Sequence, residues 1–497
     1  MKGIFYLILL LSVSNAFSQS LEQYAENLER LKTEANVKYA QQQIRVKKYA
    51  EENLLPISYK DSRGNWVLMV DVTPQGMPVY MTTDNVGASQ TIGANQLQQG
   101  GSLGLNVTGE NITVGVWDGG IVAPHIEFEN RLLFSEGSAL DDHATHVSGT
   151  IASGGTNNPN SKGMAPKAKI YAWDFNNDEP EALAVVKPDQ STLLLSNHSY
   201  GLITGWRFNN GWQWFGNSSV STLEDYRFGF YSGRSSAWDN IMFNAPYYTM
   251  VKSAGNDRSD TGNGTIPADC NGGAGYDCLG DIAVCKNNIV VGAVAKQANY
   301  TGPQTIIMSS FSSWGPSDDG RIKPDLVAAG VNLVSTIATE TNGYGSLSGT
   351  SMATPSVTGG LALLQDLHKQ LTGNYMLSAT LKALAIHTTK EAGPTPGPDY
   401  SFGWGLLDVE KAAKLILEKD GVNTIITEAT LLNNEVFELP LTPGENQKIT
   451  VTIAWTDPAG NPAVVSLDPT TPMLVNDLDI RIVDDGGTTQ MPWKLNP

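Results

Sequence analysis

Apolar and polar positions alternate with three different periods along this chain, and the changes of period divide it into three stretches. Residues 21–53 hold no Gly or Pro and are rich in Glu, Lys, Gln and Ala, which predicts one or two amphipathic helices. Beyond Pro56, the runs Trp66–Val72 and Val79–Thr82 flank Pro74-Gln-Gly-Met-Pro78 and predict a hairpin. From about 90 to 415, short apolar runs alternate with helical patterns. The runs are 112–117, 169–173, 193–196, 247–252 and 289–294; the helical patterns are 143–153, 351–370 and 377–388. Such alternation predicts an α/β domain with a mostly parallel sheet covered by helices. After about 420 only strand patterns remain: Glu435–Pro440, Lys448–Trp455 with period two, and Leu478–Val483. A β-sandwich is expected there, with few strands before Pro497.

The first residues change the picture. Met1-Lys2 is followed by an apolar run, Ile4 to Val13, too short to span a bilayer, and then by Ala16 and Ser18 at the −3 and −1 positions of a cut before Gln19. A cleaved secretory signal over 1–18 is expected, with the mature protein extracellular. No later stretch approaches eighteen uninterrupted apolar residues, so no membrane partner is expected. The formal charge of −18 argues against nucleic acid or an anionic membrane as a partner. Cys270 and Cys278, in a Gly-rich segment, suit a short disulfide loop in an oxidising compartment. Cys285 precedes a buried-strand pattern and is expected to be a packed free thiol.

Four segments carry candidate chemistry. Gly349-Thr-Ser-Met-Ala-Thr-Pro355 opens an apolar helix, with Pro355 in its first turn where a missing N–H is tolerated. That places the Ser351 hydroxyl and N–H at a helix N-terminus, where developing negative charge is favoured. Asp142-His-Ala-Thr-His-Val-Ser-Gly-Thr150 supplies His143 as a base and His146 as a structural histidine; no Glu lies between them in a metalloprotease pattern. Val114-Gly-Val-Trp-Asp-Gly-Gly120 ends an apolar strand in Asp118, at the sheet edge where α/β sites are built. Lys252-Ser-Ala-Gly-Asn-Asp257 offers Asn256 as an amide donor to an oxyanion.

Taken together, the order Asp118, His143, Ser351 resembles that of subtilisin-like serine proteases, and not that of chymotrypsin or the α/β-hydrolases. The segment Gly-Thr-Ser-Met-Ala-x-Pro around Ser351 is similar to the family's nucleophile motif. His-x-Thr-His-Val-x-Gly-Thr around His143 resembles its histidine motif, and Ser253-Ala-Gly-Asn256 its oxyanion segment. Lys162–Pro166, Ser309–Pro316, Lys323–Gly330 and Phe402–Asp408 fit the same family, so the resemblance spans roughly 90–415. Two departures are Ala144 where the family usually has Gly, and Gly119 where it more often has Thr or Ser. Neither removes a reacting group.

The resemblance implies a secreted serine endopeptidase acting on proteins or peptides, a monomer needing no cofactor for its chemistry. Asp118, His143 and Ser351 would be its triad and Asn256 its oxyanion donor. Ser199, Tyr200 and Gly201 would form one wall of the substrate pocket, and Ser253, Ala254 and Gly255 the other. Calcium is implied by the family alone. No EF-hand pattern is present, although acidic loops such as Asp257 to Asp260 could contribute ligands. The implied organisation is a signal over 1–18, an α+β pro-region over 19–88, a peptidase domain over 89–418, and a jelly-roll-like β-sandwich over 419–497, expected to be incomplete. A partner-binding module is the alternative for the N-terminal unit. Trp206, Trp212 and Trp214 on an inserted Gly/Asn-rich loop would either line outer subsites or pack the loop. An esterase would expect Gly-x-Ser-x-Gly, and Ser351 is followed by Met-Ala instead.

Overall fold

The computed structural model describes residues 13–60, 66–73, 76–83, 89–265, 268–297, 299–445 and 447–495. The apolar run at the N-terminus lies outside them except for Val13. A single long helix, α1 (Val13–Asn53), covers the predicted helical stretch. Three antiparallel strands follow: β1 (Ser58–Lys60), β2 (Trp66–Val72) and β3 (Pro78–Thr83). Val46, Ala50 and Met69 are buried together with Ile203 as a small core beneath α1.

The α/β part comprises β4 (Thr113–Asp118), β5 (Leu132–Ser135), α2 (Asp142–Ala152), β6 (Lys169–Asp174), α3 (Asp178–Val185), β7 (Leu195–His198) and β8 (Tyr200–Leu202). A hairpin of β9 (Trp206–Phe208) and β10 (Trp212–Trp214) precedes α4 (Gly233–Asn244), β11 (Thr249–Ser253), α5 (Asp269–Gly273), β12 (Ile289–Val294) and β13 (Leu326–Ala329). Next come β14 (Leu333–Thr336), β15 (Tyr344–Leu347), α6 (Thr350–Thr372), α7 (Ser378–His387) and α8 (Val409–Leu417). Seven strands form one all-parallel sheet in the order β13-β12-β11-β7-β4-β6-β5. Every residue of β12 and β13 is buried, which is why these strands read as unbroken apolar runs.

Helix α6 is buried from Thr350 to Leu367, and α2 packs against it. Close approach here depends on small residues. A Cβ on Gly359 would stand 2.5 Å from Met164 Cβ, and one on Gly149 2.1 Å from Thr336 Oγ1. Cys270 and Cys278 form a disulfide, and Cys285 is a buried free thiol.

The C-terminal stretch departs from the sequence expectation. Among the described residues beyond 420, only β16 (Ile482–Val483) and β17 (Thr489–Gln490) pair, and the β-sandwich is not formed. Lys448–Trp455 alternates as predicted, yet Val451 and Ile453 stay 41% and 39% exposed. Period two prepares a strand to bury one face, but the strand forms only when partner strands take up its N–H and C=O groups. This stretch instead lies along the α/β part, anchored by a buried ion pair between Lys286 and Asp457.

Because the α6 packing is already tight, Gly359→Val is expected to cost about 1–3 kcal/mol through overpacking. Denaturant unfolding of the Ser351→Ala chain with and without this change measures it.

Candidate active site

The sheet's C-terminal edge gathers the chemistry. Asp118 ends β4, Ser199 follows β7, and Ser253 ends β11. In the parallel ladder Trp117 pairs with His198, and His198 with Lys252, so the residues one step further on emerge side by side. Asp118 Oδ1 lies 2.5 Å from His143 Nδ1, and both side chains are buried. The short contact assigns the Nδ1 proton to this hydrogen bond and leaves Nε2 as the basic nitrogen.

Ser351 sits in the first turn of α6, so its N–H has no partner four residues back. Its Oγ donates to the Ser199 carbonyl at 2.9 Å, while Ser199 Oγ donates to the Ser351 carbonyl at 2.7 Å. This reciprocal pair ties the helix terminus to the strand edge beside Asp118. Asn256 is oriented from the same terminus: its Oδ1 accepts from Thr350 N at 2.9 Å and from Thr350 Oγ1 at 3.1 Å. These bonds engage the carbonyl end of the amide, and the donor end, Nδ2, is the one whose chemistry suits an oxyanion.

His146 is wholly buried. It donates from Nε2 to Gly345 O at 3.2 Å, and burial, then the neighbouring His143, lowers its pKa to about 3. It is therefore a neutral structural residue at ordinary pH. His198 behaves likewise. Stacked on Trp117 with ring centroids 5.1 Å apart and bonded to Ser196 and Tyr200, it too is lowered to about 3, chiefly by burial.

Of the residues proposed as pocket walls, Ser199, Ser253 and Ala254 are buried at the strand ends, and Gly201 and Gly255 are partly exposed. The Tyr200 side chain is turned into the interior. Its ring is 2% exposed, packs 5.1 Å from Phe175, and its hydroxyl donates to Asp178 at 2.6 Å. A strand alternates its faces, and Tyr200 falls on the core-facing side. Trp206 is likewise buried and packs on Trp214 at 5.2 Å, so the inserted loop packs on itself.

Two contributors were missed from the sequence. Asp141 caps α2 by accepting from Ala144 N at 2.8 Å, and its carboxylate lies within 4.8 Å of the Asp118 and His143 ligand atoms. Its N-cap position was the available signal. Thr350 orients Asn256, and only the fold places the two together. The Asp257–Asp260 loop gathers no three-ligand cluster among the described residues.

The subtilase family profile matches residues 109–405. Pyrolysin of Pyrococcus furiosus is 26% identical over 321 residues, covering 58% of this chain and 22% of pyrolysin. Subtilisin E of Bacillus subtilis is 29% identical over 348 residues, covering 67% of this chain and 75% of that protein. Among solved structures, the patellamide maturation protease PatA aligns with a TM-score of 0.43 at 21% identity, over 62% of this chain and 97% of that one. The chain belongs to the subtilase family of serine-type endopeptidases.

The two buried neutral histidines set an acid limit. Their folded pKa values lie below the unfolded value, so their contribution to stability is present above about pH 6.5 and is lost as pH falls toward 3, at about 1.4 kcal/mol per unit for each group. The melting temperature is expected to drop across that window, and His146→Gln should flatten the slope in a pH series of thermal melts.

Proposed function

We propose that the protein is a secreted serine endopeptidase working through Asp118, His143 and Ser351, made as a latent precursor. The mechanism is supported by two contacts at the sheet's C-terminal edge: His143 Nδ1 lies 2.5 Å from Asp118 Oδ1, and Ser351 Oγ donates at 2.9 Å to the carbonyl of Ser199, one residue beyond the position that pairs with Trp117. His143 Nε2 takes the Ser351 proton as Oγ attacks the scissile carbonyl carbon, forming the C–O bond. Asp118 stabilises the imidazolium. Asn256 Nδ2 and the Ser351 N–H receive the oxyanion, within the positive end of α6. The imidazolium then protonates the leaving amine as the C–N bond breaks, and water releases the acyl group by the same steps in reverse roles. No cofactor enters.

Latency is supported by the N-terminal unit. Strand β3 pairs antiparallel with β8, matching Met81, Thr82 and Thr83 to Leu202, Gly201 and Tyr200. An extended chain lying on the strand beside Ser199 occupies the place a substrate would take, by strand addition. Helix α1 adds a Lys38–Glu179 ion pair at 2.9 Å and an Asn27–Asn244 hydrogen bond at 2.9 Å. Ser351 is 1% exposed and His143 5% in this arrangement. Since β3 runs toward Ser199, the bond cleaved in maturation falls within 84–88. Export is supported by the positive start and short apolar run before Gln19. No helix of the described residues is long and apolar enough to cross a membrane.

Casein hydrolysis and fluorophosphonate labelling by the processed protein are expected to disappear in Ser351→Ala. That variant should also accumulate uncut, and N-terminal sequencing of the active form should begin at residues 85–89. An active, labelled protein that retains residues 19–88 would refute the latent-precursor reading while leaving the peptidase reading in place. Replacing Asn256 by Ala is expected to lower turnover by about 100- to 1000-fold, the loss that removing one oxyanion donor causes in subtilisin, with little change in KM.

A further inference from the structure

The strands proposed as walls of the substrate pocket hold a cation between them that the mechanism does not use. Lys252 is the penultimate residue of β11, directly before Ser253, and is 3% exposed. In the parallel sheet it pairs with His198 on one side and Val290 on the other. Its side chain turns back toward the end of its own strand. There Nζ donates to the Ser253 carbonyl at 2.7 Å and to Ser253 Oγ at 2.9 Å, and Ser253 Oγ donates in turn to His198 O at 3.4 Å. The same ammonium faces the opposite wall. Among the described residues, the atom nearest to a Cβ built on Gly201 is Lys252 Nζ, at 3.8 Å. Gly201 is partly exposed and has no side chain to cover the charge. The ammonium is thus fixed beside the gap between 199–201 and 253–255, next to the serine that ties down Ser351.

Burying an ammonium is costly, and the cost falls when an anion joins its hydrogen-bond acceptors. The two Ser253 oxygens fix the position of Nζ, but neither carries a compensating charge. The charge is felt nearby: after burial, Lys252 is among the groups that hold His198 neutral. Three kinds of side chain entering the gap would meet this ammonium differently. An apolar one would seal it further from water, and a cationic one would meet a like charge. A carboxylate would gain a charge-assisted hydrogen bond, the strongest kind open to a lysine.

We propose that Lys252 makes this pocket select an acidic side chain, aspartate or glutamate, immediately before the bond to be cut; the proposal rests on the peptidase reading above. The chain's own sequence agrees with it. Strand β3 lies antiparallel to β8 with Thr82 opposite Gly201 and Thr83 opposite Tyr200, and the residue that follows Thr83 in the sequence is Asp84. Self-processing after Asp84 makes Asn85 the first residue of the mature enzyme.

For the test, the enzyme matured from the full chain is given peptides Tyr-Met-Thr-Thr-X, which copy Tyr80–Thr83 and release a fluorophore from the amide after X. With X as Asp or Glu, kcat/KM should exceed that with Leu by about 100-fold, the scale of leaving a buried charge without its partner. It should exceed that with Asn by about 10-fold, since Asn keeps an acceptor but not the charge. N-terminal sequencing of the parent should give Asn85. In Lys252→Met the order should reverse in favour of Leu. An Asp84→Leu precursor should stay uncut, and should mature when it also carries Lys252→Met. The parent's peptide series decides the question even where a variant folds poorly. A parent that takes a fluorophosphonate label but cleaves the Leu peptide faster than the Asp peptide overturns the proposal and leaves the peptidase reading in place. So does a labelled Lys252→Met enzyme that keeps the acidic preference. A parent that takes no label overturns both.

Discussion

The reciprocal hydrogen bonds between Ser199 and Ser351 join the two halves of the site, and much of the architecture serves to hold them. Ser199 directly follows the central strand of the parallel sheet, and Ser351 lies in the first turn of the deeply buried helix α6. Neither element can shift without breaking both bonds. The ladder then fixes Asp118 beside Ser199, Asp118 fixes the ring of His143, and Thr350 fixes Asn256. Side chains fixed in this way need no reorganisation when charge develops beside them.

That rigidity rests on an interior with little tolerance. Gly359 of α6 closes on Met164 and the Ile151 carbonyl, Gly149 of α2 closes on Ser335 and Thr336 of β14, and two neutral histidines are buried within a few residues of His143 and Ser199. His198 shows how the aromatic layer behind the site is built: it stacks on Trp117, meets Trp238 edge-on, and is fixed by Ser196 and Tyr200. Tyr200 closes this layer through Asp178, whose carboxyl is held below its usual range, against its own burial, by Arg234. The wall of the site is thus supported from behind by a paired polar network and not by apolar packing alone.

The outer segments are attached by different physics. The N-terminal unit adds a strand to β8 and a few polar contacts at the surface. The C-terminal stretch is held by the Lys286–Asp457 pair, with side chains 3% and 2% exposed, and by Met473 in a core cluster. A buried pair that loses one partner leaves an uncompensated charge, so this attachment is not easily released.

The four segments around Asp118, His143, Asn256 and Ser351 were legible in the sequence through their joint resemblance to one family's motifs. Local pattern alone determined the order of elements in the α/β domain and its parallel sheet, since continuous apolar runs are the signature of strands covered on both faces. The disulfide between Cys270 and Cys278 was legible for the same reason, being closed over a short loop. Tertiary structure decided whatever depends on partners distant in the chain. Tyr200 turned inward because its strand's core side was already set by Phe175 and Asp178. Among the described residues Lys448–Trp455 pairs with no strand, and a period-two pattern cannot supply its own partner. Glu224, Asp277 and Asp468 are each an ordinary acid in sequence, and only the folded chain brings their ligand oxygens within 4.8 Å of one another, because convergence across separate segments leaves no periodic trace in any one of them.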